Sequence, residues 1–130
     1  MQNVLKAVPD KRLAAYVIWD PIFGGNFNRA SKNMTDRFSD LRVHYFKDPK
    51  SLAGTLWEQV LKTESEIAWD VYLLYGADAN WEKEPPKPDF WMHQLGGVTI
   101  APRLDEEKFI EALKGLLNKV ESQDSKKVKQ

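Results

Sequence analysis

Apolar and polar positions divide the chain into short segments of contrasting period. Leu13–Asp20 is apolar up to its last residue, the pattern of a strand buried on both faces. Asp20-Pro21 ends it, and Gly24-Gly25 predicts a loop of unusual backbone geometry. From about Asn28 to Ser39 the residues Ala30, Met34 and Phe38 recur every four positions, which predicts a helix with one apolar stripe, capped by Asn26 or Asn28. Leu41, Val43 and Tyr45 alternate with Arg42, His44 and Phe46, so Leu41–Phe46 reads as a strand that is only partly buried or is short. Asp48 then suits a helix N-cap and Pro49 the first helical position, where the missing amide hydrogen costs nothing. Leu52, Ala53, Leu56, Trp57, Val60 and Leu61 give that helix a wide apolar face.

Ile67–Tyr75 predicts a third, core strand, with Asp70 as its one charged residue, for which Arg42 or Lys62 is the expected partner. A polar loop, Gly76–Lys87, carries Trp81 and ends in Pro85-Pro86-Lys87-Pro88. Phe90–Leu95, Gly96-Gly97 and Val98–Leu104 read as an antiparallel hairpin. A last helix is expected from about Glu106 to Val120. Asp105 is its N-cap, and Phe109, Ala112, Leu113, Leu116, Leu117 and Val120 form its buried stripe. Residues 122–130 are polar and read as a disordered tail behind a single domain spanning 1–121, and Met1–Asp10 as an arm or a short helical turn. Right-handed crossovers would make the first three strands parallel. The expected class is therefore α/β: a three-layer sandwich with a mixed sheet of about five strands and helices on both faces.

Composition narrows the chemistry. The 130 residues suffice for one core, and 42% hydrophobic with 29% charged is ordinary for a globular chain. Nineteen basic and nineteen acidic residues cancel, so no global field favours nucleic acid or an anionic membrane as a partner. There is no cysteine, which excludes disulfides, thiolate metal sites and dithiol redox chemistry. No stretch approaches the roughly 20 apolar residues of a membrane span, and Met1–Lys11 has no signal-peptide core. The expectation is a cytoplasmic protein.

In element order Leu13–Val120 resembles the thioredoxin fold: parallel strands linked by helices, a proline opening the fourth strand, a hairpin and a closing helix. Pro88 stands where that family commonly has a cis-proline. Val43-His44-Tyr45-Phe46-Lys47-Asp48-Pro49 resembles the strand-to-helix passage that normally carries Cys-x-x-Cys. Ala68–Tyr75 and Pro88–Leu95 are similar to stretches of thioredoxin-like bacterial proteins. Both redox cysteines are missing, and Gly76–Lys87 replaces the helix that usually precedes the proline, so the resemblance implies a non-redox member. An alternative register makes Leu13–Asp20 the central strand, with Ile22–Gly25 at the vacated cysteine position. A flavodoxin-like sheet with a phosphate turn at Pro21–Asn28 is a third reading.

Ligands of open α/β sheets favour the carboxyl ends of parallel strands. That edge would gather Asp20, Asp48, Trp81 and the Pro88 loop, and it is the expected binding site for a protein segment or small ligand. Asp20 and Asp48 equally suit plain strand ends and helix caps. Trp81, in a loop, suits either an anchor for a partner or a plug over the sheet end. His93 suits a general base or a half-buried structural side chain. Asp20 or Asp48 with His93 defines the alternative function, a small hydrolase with or without a metal. Two histidines and no cysteine fall short of common zinc ligand sets, so no metal and no cofactor is expected.

Overall fold

The computed structural model describes residues 2–21 and 39–127, together with Lys32 and Asp36. Its elements in chain order are α1 (Gln2–Ala7), β1 (Ala15–Trp19), β2 (Val43–Lys47), α2 (Leu52–Leu61), β3 (Val71–Leu74), β4 (Phe90–His93) and α3 (Glu106–Lys127). The helix expected over Asn28–Ser39, and the loop residues before it, lie outside the described residues. The chain forms two compact units: one is Pro9–Trp69, the other joins Asn3–Val8 to Asp70–Gln130.

The chain is α/β, but the expected five-stranded sheet with helices on both faces is not formed. Four strands, counted among the described residues, make two separate two-stranded sheets, β1–β2 parallel and β3–β4 antiparallel. Two local causes are visible. Asp70 adopts φ 44°, a left-handed conformation that extended strands do not contain, so the apolar run breaks there and β3 keeps only Val71–Leu74. After β4 the expected returning arm of the hairpin forms no strand. Its one ladder contact is a parallel bridge between His93 and Arg103.

In the Pro9–Trp69 unit, β1 and β2 open and close alike. Asp10-Lys11-Arg12 precedes β1 and Asp40-Leu41-Arg42 precedes β2. In each, the arginine guanidinium grips the aspartate two residues earlier through both carboxylate oxygens, with a shortest contact of 2.6 Å, and donates its own backbone N–H to Oδ1. Arg42 also donates to the Asp10 carbonyl, 3.2 Å away, which ties the two turns together. These hydrogen bonds hold the Asp10 and Asp40 carboxyls well below the ordinary carboxylate range, each at about 2.

The strands themselves are less buried than their apolar composition predicted. Tyr16 is 67% exposed and Phe46 52%, and Leu41, expected to point inward, lies outside β2 and is 97% exposed. Tyr16, His44 and Phe46 share one face of the parallel pair, with the Tyr16 and His44 rings stacked at 5.2 Å.

The other unit is built on β3–β4 and α3. Tyr72 and Leu74 pair with Met92 and Phe90, and Phe109 of α3 sets its ring edge-on to Tyr72 at 6.3 Å and tilted to Phe90 at 6.4 Å. Val4, Leu5, Val8, Leu74, Met92, Leu95, Phe109 and Leu113 are its buried apolar residues. Asp105 caps α3 as its sequence position predicts: Oδ1 accepts the Lys108 N–H at 3.1 Å, and this bond lowers the Asp105 pKa. The helix reaches Lys127, past Val120, where the apolar stripe ends.

Candidate functional site

The candidate residues fall in different units. Asp20 and Asp48 belong to Pro9–Trp69; Trp81, Pro88 and His93 belong to the unit that contains β3 and β4. Among the described residues no single sheet carries them all, so the one sheet edge expected to gather them is not formed.

Asp20 and Asp48 follow the paired residues Trp19 and Lys47 directly, and the Asp48 N–H donates to the Trp19 carbonyl at 2.8 Å. Both carboxylates turn to the start of α2. Asp20 Oδ1 accepts the Ser51 hydroxyl at 2.7 Å, and Asp48 Oδ2 accepts the Ala53 N–H at 2.6 Å. Asp48 therefore caps the helix, but Pro49 is not its first residue. Pro49 and Lys50 form a turn, and Ser51, at φ 54°, stands in the N-cap position without using its own side chain there. Helix starts expose unpaired N–H groups and a positive dipole end. Asp48 supplies an acceptor that the start of α2 lacks, whereas Asp20 holds the Ser51 side chain beside it.

His93 is fully buried, at 0% exposure. Its Nδ1 accepts the Leu95 N–H at 3.0 Å, which leaves Nε2 to carry the proton and donate to the Ala101 carbonyl at 3.0 Å. The backbone continues the same closure: His93 N–H to the Pro102 carbonyl at 3.3 Å, Leu104 N–H to the His93 carbonyl at 2.8 Å. Arg103 adds a bond from its guanidinium to the Leu95 carbonyl at 3.1 Å. The imidazole is thus the hub of the Gln94–Pro102 loop. This geometry explains why Gly96-Gly97 is not followed by a strand: the chain curls around the ring instead of pairing with β4.

Asp70, for which Arg42 or Lys62 was the expected partner, is bonded within its own unit. Its Oδ1 accepts the Tyr72 hydroxyl at 2.9 Å, and Gln94 Nε2 donates to that same hydroxyl at 2.9 Å. Burial, and then the Asp70 carboxylate, push the Tyr72 phenol pKa upward. The trio is internally satisfied.

The β3–β4 loop is held differently. Asp89 N–H donates to the Leu74 carbonyl at 2.9 Å, and Gly76 N–H donates to Asp89 Oδ2 at 2.8 Å, so the loop is pinned where it leaves and rejoins the sheet. The Tyr75 hydroxyl reaches across to the Pro86 carbonyl at 3.1 Å, and Pro85 and Pro88 are buried. No cis peptide bond occurs among the described residues, so Pro88 is joined in trans. Between these anchors the tip from Ala77 to Glu84 is exposed throughout, and Trp81 is 46% exposed. Asn80 Nδ2 donates to Glu82 Oε1 at 3.2 Å within it.

Two features escaped the sequence reading. The repeated Asp-x-Arg before β1 and β2 was a visible signal. The exposed Tyr16–His44–Phe46 face was not, since its apolar composition is that of a buried strand. Among the described residues no group of three or more acidic or histidine side chains is arranged to hold a metal ion, and no helix is long and apolar enough to cross a membrane. Comparison of the chain with protein-family models, curated proteins and solved structures finds no match.

Proposed function

We propose that the chain acts by binding a protein segment through the Gly76–Pro88 loop, with Trp81 as the anchor. One observation carries the reading: a large aromatic side chain, 46% exposed, sits on a loop whose two ends are fixed by backbone and side-chain hydrogen bonds. A tryptophan with few rotatable bonds on a pinned loop gives up little conformational entropy on contact, and such residues dominate binding energies at interfaces. The mode is non-redox, because the chain has no cysteine. Asp20, Asp48 and His93 serve this function as scaffold: Asp48 caps a helix, Asp20 holds the Ser51 hydroxyl beside it, and His93 closes a loop.

A photoreactive phenylalanine analogue placed at position 81 of the full chain tests the proposal. Cross-linking in cells is expected to capture a discrete partner at position 81 and not at position 16, on the aromatic β1–β2 face. The purified partner should then bind the unmodified chain and lose affinity for Trp81→Ala. Equal binding of both forms would refute the reading.

A further inference from the structure

We infer that α1 and its seat form an interaction surface for a second copy of this chain: α1 of one copy can fill, in its partner, the place it fills in its own. The unit that contains β3, β4 and α3 is discontinuous in sequence. It joins Asn3–Val8 to residues from Asp70 onward, with the whole of Pro9–Trp69 between them in the chain. The short first stretch carries three of its buried apolar side chains: Val4 and Val8 at 4% exposure and Leu5 at 3%. Asn3 adds a polar tie, its Nδ2 donating to Glu106 Oε2 at 2.9 Å at the start of α3. The core of this unit is therefore incomplete without a segment that the other unit separates from it in sequence.

A helix of six residues is too short to persist by itself in water, so α1 is ordered only when seated. Its connection is a short joint. Pro9 has a fixed φ and disfavours helical backbone at Val8. Asp10, just beyond, is held through its carboxylate by Arg12 and through its carbonyl by Arg42. A rotation at Val8 alone is thus enough to redirect all of α1. In an exchanged pair every contact of α1 with its seat is remade between copies, so the choice of cis or trans turns on the joint and on concentration. A foreign segment would have to reproduce the spacing of Val4, Leu5 and Val8 and the side-chain amide of Asn3. A second copy carries them by identity.

The absence of cysteine makes a site-specific test direct. Full-length Asn3→Cys, carrying a size tag, is co-refolded from urea with untagged full-length Glu106→Cys and treated with a short bismaleimide. The expected result is a covalent product of one tagged and one untagged chain. Its share should fall severalfold when co-refolding is about tenfold more dilute, because pairing is bimolecular and cis seating is not. A Gly-Ser insert between Pro9 and Asp10 should also lower it, since a longer joint favours seating within one chain. The double variant Asn3→Cys/Glu106→Cys reports cis seating in the same assay, as a cross-linked monomer. Cross-linked monomer there, with no mixed product from the single variants, would overturn the inference. So would an equal mixed yield with Gln59→Cys, on α2, in place of Glu106→Cys, which would mark random collision. Absence of both products would overturn the seat of α1 itself.

Discussion

Replacing His93 by alanine is expected to open the Gln94–Pro102 loop and to destabilise its unit by several kcal/mol. The imidazole is fully buried and satisfies two backbone groups, the Leu95 N–H and the Ala101 carbonyl, each at 3.0 Å. Leaving a buried donor or acceptor unsatisfied costs about 1–3 kcal/mol. Two such groups, plus the void left beside Trp91, whose ring centroid is 5.8 Å away, bring the loss to roughly 3–5 kcal/mol where water does not enter. Partial replacements sharpen the test. Asparagine can offer an oxygen near the Nδ1 position and so spare the Leu95 bond. Glutamine can offer an N–H near the Nε2 position and so spare the Ala101 bond. Each should cost about half as much as alanine. Urea unfolding measures the loss, and amide hydrogen exchange at Leu95 should accelerate in the alanine and glutamine variants and stay slower in the asparagine variant. A loss below about 1 kcal/mol in His93→Ala, with Leu95 exchange unchanged, would refute the view of His93 as the loop's hub.

Two further perturbations address the scaffold. A Cβ on Gly54 would overlap the Ile67 Cγ2 methyl and lie 3.1 Å from the Ala68 carbonyl oxygen, whereas none would meet anything within 4 Å at Gly115 of α3. Gly54→Ala should therefore destabilise by about 1–3 kcal/mol and Gly115→Ala stabilise by about 1 kcal/mol, opposite signs that denaturant midpoints resolve. Asp10 and Asp40 have pKa values lowered from 3.8 to about 2 by their arginines, so the stabilisation they give is complete above the ordinary value and lost as pH falls toward 2. Asp40→Asn should flatten the acid limb of the stability–pH curve over that interval; an unchanged slope would show that the Asp40–Arg42 grip contributes nothing to folding.

Local chemistry was legible in the sequence, and long-range pairing was not. The Asp105 cap and the apolar stripe through Phe109 and Leu113 follow from helix periodicity, because cap and stripe are decided within a few residues. Asp20 and Asp48 were readable as strand ends and helix caps. Which group each would hold, the Ser51 hydroxyl for Asp20 and the Ala53 amide for Asp48, depends on a three-dimensional turn at Pro49 and Lys50. A five-stranded sheet was inferred from apolar runs, but an apolar run does not reveal where one residue leaves the extended region. Asp70 was the warning: a single aspartate within the run, of a residue type that tolerates positive φ. Gly96-Gly97 was a sound turn signal that led to the wrong ladder, since the ring of His93, not the glycines, dictates the path of the chain afterwards. Trp81 was legible as a loop aromatic. Its exposure was not, because exposure depends on how the loop is pinned.

The proposed binding role of the Gly76–Pro88 loop is tested most directly by one comparison. Calorimetric titration of the partner cross-linked at position 81 into the unmodified chain and into Trp81→Ala should show an affinity loss of about tenfold or more, with both proteins equally folded. Affinities within twofold of each other would contradict the role of Trp81 as the anchor.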